Sequence, residues 1–485
     1  MKKQIIILSS VLLLTTIGCK KGFLDINNNP NAATNTTPEL VLPTAIVVTA
    51  SGQVTNNTFL SEWMGYWAVS GSYAISASGT DSYRQTTGFG NGIFISAYRN
   101  LEDYDYVEQA AKANKSPFYE AAAKTMKAYV FQQLVDLFNN VPYSDALHGT
   151  GSIQPKYDDG KAIYESIALK LDTAVTLMQR ADAIGKATSD PLFHGNAGLW
   201  VSFMNSLKLR ILMRQTEISG RGAYIQAGIA KIISNGGNFL TVDAGVNPGY
   251  NSAQPNPLFN FFINTAGTYT NDVWRANQYY ITFDKNNNDP RYIRIYKPAS
   301  DDGTYKGNVV GSPTNHPGNA SSAFGPGIVK SSSQDAILMT ASESYFLQAE
   351  AVLRGFISGD AATLYKQGVQ ASFDYYGSGD ASGYYSQPGN KNTTYEAATN
   401  FQEQLAVIIR QKWASENSTL PVEAYADYRR LHLPADIPIS VSPYLDVPAV
   451  PTRILYPSSE YATNATNVAA QGTINHHTSK IFWMP

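Results

Sequence analysis

The chain has 485 residues, with 38 acidic against 36 basic side chains, a formal charge of −2 and only 15% charged residues. That near-neutral balance, without a basic cluster, excludes nucleic acid as an electrostatic partner, and a single cysteine excludes any disulfide within the chain. Average globular chains carry about 25% charge; here 31 Tyr, 20 Phe and 6 Trp, together with many Asn, Gly, Ser and Thr residues, suit a surface that meets neutral, hydroxylated ligands.

The chain opens with Lys2-Lys3, an apolar run from Ile5 to Leu14, and Thr15-Thr16-Ile17-Gly18-Cys19. A basic start, a short apolar stretch and a small residue before the cut make a secretory signal; a bilayer span needs roughly 20 apolar residues. Gly18-Cys19 converts it to a lipoprotein signal, in which the Cys19 thiol receives the lipid and becomes the first mature residue. Residues 1–18 are therefore expected to be a leader and 19–37 a flexible tether, polar, Asn-rich and interrupted by Pro30. Fully extended, such a tether reaches about 60 Å. The body of the chain that follows is expected to be lipid-anchored outside the cytoplasm.

Trp63, Tyr66 and Trp67 recur at the i, i+3, i+4 spacing of one helix face and are assigned to the core. The clearest helix runs from Phe118 to Phe138 and ends at Asn139-Asn140. A second carries Ile163, Ile167, Leu171 and Met178. A third carries Trp200, Phe203, Met204, Leu207 and Ile211, with Lys208, Arg210 and Arg214 expected largely on its other side. Ile225 to Ile233 forms a short fourth, stopped by Gly236-Gly237. A fifth carries Tyr345 to Phe356 and is expected to be entered through Ser342. Helices over 361–375 and 396–415 and a short one over Glu423–Leu431 complete the scaffold, which occupies mainly 40–240 and 340–435. Long Gly-, Pro- and Asn-rich stretches at 240–335, 376–395 and 436–485 are irregular; loops of that length are usually functional. No 34-residue repeat signature marks the helix pairs.

Catalytic motifs are missing. The six histidines form no H-E-x-x-H, no serine sits in a nucleophile elbow, and no phosphate loop occurs. Asp284 to Asp289 resembles the start of a calcium loop but lacks its Gly and closing Glu, and reads as a solvated turn. No cofactor and no metal are expected.

Several segments resemble the SusD/RagB family of outer-membrane lipoproteins. They are Glu343-Ser-Tyr-Phe-Leu-Gln-Ala-Glu350, Ile409-Arg410-Gln-Lys-Trp413, Glu423-Ala-Tyr-Ala-Asp-Tyr-Arg429-Arg430, Pro451 to Asn464, Lys480 to Trp483 and, near the start, Asp25 to Asn31 with Leu42-Pro43-Thr-Ala. The resemblance implies a mostly α fold, a superhelix of tetratricopeptide-like pairs whose long irregular loops form the ligand face. It also implies that residues 38–485 form one domain, lipid-anchored at the outer membrane and exposed at the cell surface, and a non-enzymatic protein that captures glycans and delivers them, as a hinged lid, to a SusC-like TonB-dependent transporter. Peptide or other nutrient capture by the same lid, a surface glycoside hydrolase and a ligand-free scaffold are the competing readings. Arg410, Arg429, Arg430, Glu350 and Glu460 are expected to form structural ion pairs.

A sugar offers a C–H face and a hydroxyl rim, so its site needs rigid aromatic surfaces with Asn, Asp or Arg beside them. Tyr83, Tyr269 and Trp274, with Asn271, lie in loop-like sequence and are the candidate ligand contacts; Tyr384, beside Gly383, is a further one.

Overall fold

The computed structural model describes residues 36–75, 79–180 and 189–485. The expected leader, Cys19 and the expected tether up to residue 35 lie outside the described residues. From there the chain forms α1 (Pro38–Thr55), α2 (Thr58–Trp63), β1 (Trp67–Val69), α3 (Asn91–Ala113), α4 (Pro117–Phe138), β2 (Val141–Pro142), β3 (Tyr157–Asp158), α5 (Gly160–Met178), α6 (Ala197–Met213) and α7 (Gly222–Ser234). Next come β4 (Ala244–Val246), α8 (Pro257–Phe262), β5 (Trp274–Ala276), α9 (Gln278–Asn286), α10 (Tyr292–Ile295), β6 (Ala336–Met339), α11 (Ala341–Leu353) and α12 (Ala361–Tyr376). The last elements are α13 (Phe401–Ser415), α14 (Pro421–Leu431), α15 (Ser458–Thr463) and α16 (Ala465–Ala469). The strands pair antiparallel two by two, β1 with β5, β2 with β3 and β4 with β6. Pro38 to Pro485 is one compact unit.

Consecutive helices pack side by side: α3 on α4, α4 on α5, α5 on α6, α11 on α12, with α13 against α11. Only Asn114-Lys115-Ser116 separates α3 from α4. Lys115 takes a φ of 51° there, and Pro117 opens α4 at a position where a missing N–H costs nothing. Side-chain caps start several of the long helices. Asp159 accepts from Ala162 N, Asn196 from Leu199 N, Asp360 from Ala362 N and Thr363 N, and Asn400 from Glu403 N. The fifth helix enters through Thr340, which accepts from Glu343 N; Ser342 is already inside it and donates to Gly368 O. Similarly, the helix expected from 396 begins at Phe401.

Helix α4 is the centre of the fold. It is buried around almost its whole circumference, Lys127, Gln132 and Asp136 included. A helix buried on all sides has no solvent face to leave polar. Neighbouring α6 is likewise buried along its length, so Lys208, Arg210 and Arg214, expected on its solvent side, instead face inward. The reason is an ion-pair network joining α4, α6, α11, α13 and α14. Arg210 binds both oxygens of Glu343 at 2.7 Å, and Arg214 pairs with Glu423 and lies 3.5 Å from Asp136. Lys412 reaches Asp427 at 2.7 Å and Glu416 at 2.8 Å. Arg430 clasps Glu350 at 2.6 and 2.7 Å. Buried charges persist only when paired, and each of these cations has a carboxylate in reach. Burial pushes the Glu416 carboxyl well above the usual range, with Lys412 opposing.

The expected ion pairs need two corrections. Arg430–Glu350 and Arg410–Asp436 are ion pairs. Arg429 instead donates to the carbonyls of Asp136 and Thr452 and stacks on Tyr425 and Trp483, 3.7 and 4.8 Å from their ring centres. Glu460 accepts hydrogen bonds from Tyr157 Oη, at 2.8 Å, and Asn464 Nδ2.

Candidate ligand-binding face

Trp63, Tyr66 and Trp67 are buried, as their spacing suggested, but only Trp63 is helical. The helix stops there and Trp67 begins β1, with Trp67 opposite Ala276 and Val69 opposite Trp274. This two-stranded ribbon carries the face. Asn277, which ends it, fixes both sides: its N–H donates to Tyr66 O, its Nδ2 to Trp67 O, and its Oδ1 caps α9. Trp67 is locked from below by Nε1–H donation to Ser418 Oγ at 2.7 Å.

Trp67 is the hub of an aromatic layer. Phe324, Phe262, Trp274 and Phe261 lie 4.9, 5.6, 5.8 and 6.1 Å from it, ring centre to ring centre. Trp274 and Phe261 are the outer, half-buried members. Tyr269 joins by stacking on Phe262 at 5.9 Å and 18°. It is placed by a tight turn in which Asn264 Oδ1 accepts from Ala266 N and Thr268 N, returning the chain beside Ile263. Burial raises the Tyr269 hydroxyl to about 12, so it stays protonated.

Beyond β1 the ribbon continues as a loop. Ser70 N donates to Val273 O at 2.7 Å and Gly71 N to His316 O at 2.8 Å, and Tyr73 follows, 45% exposed. Gly71 is required: a Cβ there would stand 1.9 Å from Asn315 O. Gly318 serves likewise, since its Cβ would meet the Asp272 carboxylate at 2.2 Å. Arg275 is buried beneath this edge. It donates to Gly318 O, to Trp274 O and to Asn271 O, and pairs with Asp272, whose carboxylate is half exposed. Tyr73 is near enough to Arg275 to act on its charge. The outcome is a rigid ledge with Trp274 and Tyr73 outward, and with Asp272 and exposed His316 beside them.

The candidate residues divide. Tyr269 and Trp274 share the ledge. Asn271 lies there too, but its amide is occupied: Nδ2 donates to Phe261 O at 3.2 Å and Oδ1 faces Trp274 N at 3.5 Å. Its role here is to hold the loop. Tyr83 has no exposed surface; it meets Trp63 edge-on and its hydroxyl accepts from Ser440 N at 3.0 Å. Tyr384 is 4% exposed, with its hydroxyl accepting from Gln411 Nε2 at 2.8 Å and its ring tilted on Phe373. Both are core residues, so neither offers a face to a ligand. The Asp284–Asp289 segment is not a solvated turn either: Asp284 is buried at the end of α9 and Asp289 is held by Arg291. Among the described residues no cluster of three or more His, Cys, Asp or Glu could hold a metal. Tyr73, in the aromatic-rich segment that runs on from Trp67, joins Trp274 at the exposed edge.

The sequence pattern of the SusD-like family, described as "Starch-binding associating with outer membrane", matches residues 30–457. The chain belongs to this family, whose members are outer-membrane nutrient-binding proteins and not enzymes. Solved structures share the fold. A SusD-like protein from Bacteroides thetaiotaomicron is 21% identical, with a TM-score of 0.77, 92% of this chain and 98% of that chain covered. A SusD homologue from Bacteroides uniformis is 24% identical, with a TM-score of 0.74 over 92% and 99%. A chitin-binding SusD homologue from Flavobacterium johnsoniae is 23% identical, with a TM-score of 0.76 over 91% and 98%. No curated protein matches the chain. Among the described residues, no helix is long and apolar enough to cross a membrane.

Proposed function

We propose that this protein is a lipid-anchored, cell-surface glycan-capture protein that passes oligo- or polysaccharide to a SusC-like TonB-dependent transporter. The observation that carries the reading is the ledge: Trp274, half-buried and backed by the fixed ring of Trp67, beside exposed Tyr73 and the Asp272 carboxylate. A preset aromatic surface binds the C–H face of a sugar ring with little ordering cost, and polar groups at its edge meet the hydroxyls. Each ring adds little, so capture is weak. Anchoring through Cys19 and docking over a pore raise the effective concentration that the transporter meets. Ligand bridging lid and barrel favours closure and hand-over.

Affinity electrophoresis of the purified protein across a polysaccharide set tests this. Retardation by at least one glycan, with no reducing ends released, is the expected result. No retardation by any glycan alongside binding of peptides would replace it with peptide capture. In cells, Cys19→Ala is expected to move the protein from the membrane to the soluble fraction.

A further inference from the structure

A second exposed patch stands beside the ledge, on the loop 308–316 and the segment 440–447. The loop is pinned to β1 and closed on itself. Asn308 Nδ2 donates to Val69 O at 3.2 Å and Asn315 Nδ2 to the same oxygen at 3.0 Å. Asn315 also exchanges bonds with the Val309 backbone, at 2.8 Å each way. Segment 440–447 is fastened to the far side of this loop. Val441 N donates to Val310 O at 3.0 Å, and Gly311 allows the approach, since a Cβ there would stand 2.6 Å from Ser442 N. Ser442-Pro443-Tyr444-Leu445 then closes a turn, with Leu445 N donating to Ser442 O at 3.1 Å and Tyr444 N to Ser442 Oγ at 3.2 Å. A proline in second place presets such a turn. Tyr444 stands at its corner, exposed about as widely as Tyr73, and Val309, Val441 and Val447 are exposed with it.

Single exposed apolar side chains are ordinary on a surface; here they sit on two segments bonded to each other and to the ledge. The steps from the ledge run from Trp274 to Val69, Val69 to Asn315, Asn315 to Val309, and Val310 to Val441. At the ~4.8 Å spacing of hydrogen-bonded backbones, the patch begins no more than about 20 Å from Trp274. One sugar ring covers about one such step, so a disaccharide falls short of the whole path and a chain of several rings covers it. The exposed side chains on the loop between, Val309, Pro313, Thr314 and His316, include no carboxylate, lysine or arginine. A preset aromatic surface costs little ordering when the C–H face of a sugar covers it. A second contact on a chain already held is intramolecular, and adds affinity beyond its own strength. Resting on the glycan reading above, we propose that Tyr444, with Val441 and Val309, is a second contact for the chain held on Trp274. The protein thereby selects glycan chains long enough to bridge both places over single sugars and disaccharides.

Calorimetry on the purified full chain tests this with cello-, laminari-, malto- and chito-oligosaccharides, dimer to hexamer. In at least one series the hexamer is expected to bind about tenfold or more tighter than the dimer. Tyr444→Ala is expected to remove most of that gain, to leave dimer binding unchanged and to melt like the parent. Tyr444→Phe keeps the ring and is expected to keep the gain. Val441→Ser, at a more exposed position, is expected to act in the same direction as Tyr444→Ala, whereas Trp274→Ala weakens dimer and hexamer alike. Three results would overturn the proposal and leave the glycan reading standing: a series that binds without gaining from length, equal weakening of dimer and hexamer by Tyr444→Ala, or parent-like hexamer binding by both Tyr444→Ala and Val441→Ser. Binding of no series would overturn both.

Discussion

Arg210 and Glu343 form a two-pronged ion pair, Nε to Oε1 and Nη2 to Oε2 both at 2.7 Å, with neither side chain exposed at all. It ties α6 to α11, the helix that carries one of the family's recognisable segments. Breaking a buried pair from one side strands the other charge and costs about 3–5 kcal/mol. Arg210→Met is therefore expected to lower stability by about that amount, because Glu343 and Glu423 both lose a counter-charge. Arg210→Met/Glu343→Leu should recover much of it, since Glu423 keeps Arg214. Urea midpoints at unchanged slope give the cycle; additive single effects would show that the two side chains do not depend on each other.

Glu62 sets a pH dependence. Burial, then the neighbouring Asp81, pushes the Glu62 carboxyl well above the usual carboxylate range. The folded state thus keeps a proton that the unfolded chain releases near pH ~4.3. A folded state that binds more protons loses stability as pH rises, from about that pH through the raised value. Glu62→Gln keeps the shape without the charge. It is expected to be more stable than the parent at pH 8, with the advantage vanishing towards pH 4. Asp284 and Glu416 are raised too, so the test is the difference between parent and variant across pH. A constant difference would contradict the account.

Tyr384 separates scaffold from site. Removing its hydroxyl leaves one N–H of the Gln411 amide short of an acceptor, while Arg291 keeps Asp289 and Gln411 Oε1 at 2.6 and 2.7 Å. Tyr384→Phe is expected to cost about 1–3 kcal/mol of stability with glycan retardation unchanged. A selective loss of retardation at parent stability would return Tyr384 to the ligand face.

What could be read in the sequence was what local periodicity encodes. The stripes Ile163 to Met178 and Ile225 to Ile232 each mark one buried face, and α5 and α7 stand where those stripes fall. Helix α1 escaped because apolar residues lie on both of its sides, with Leu40 and Val48 exposed opposite buried Leu42, Ala45 and Ile46; α3 escaped because it buries Phe94, Leu101, Tyr104 and Val107 among exposed charges. Lys208, Arg210 and Arg214 looked like a solvent face because their partners come from α5, α11 and α14, far away in the chain. The same non-locality misplaced Tyr83 and Tyr384. A tyrosine near glycines looks exposed, yet Ser440 and Gln411 lie 357 and 27 residues away. Tyr269 and Trp274 fell on the ledge because their loop, pinned by Asn264 and Asn271, carries its own turn chemistry.

Affinity electrophoresis of Trp274→Ala beside the parent protein, in a gel containing a glycan that retards the parent, tests the glycan-capture claim most directly. The indole is an outer member of the layer, packed on Trp67, so the variant is expected to keep its fold and to lose at least tenfold in affinity. Full retardation of a well-folded Trp274→Ala protein would contradict the account, since the glycan would then be held elsewhere.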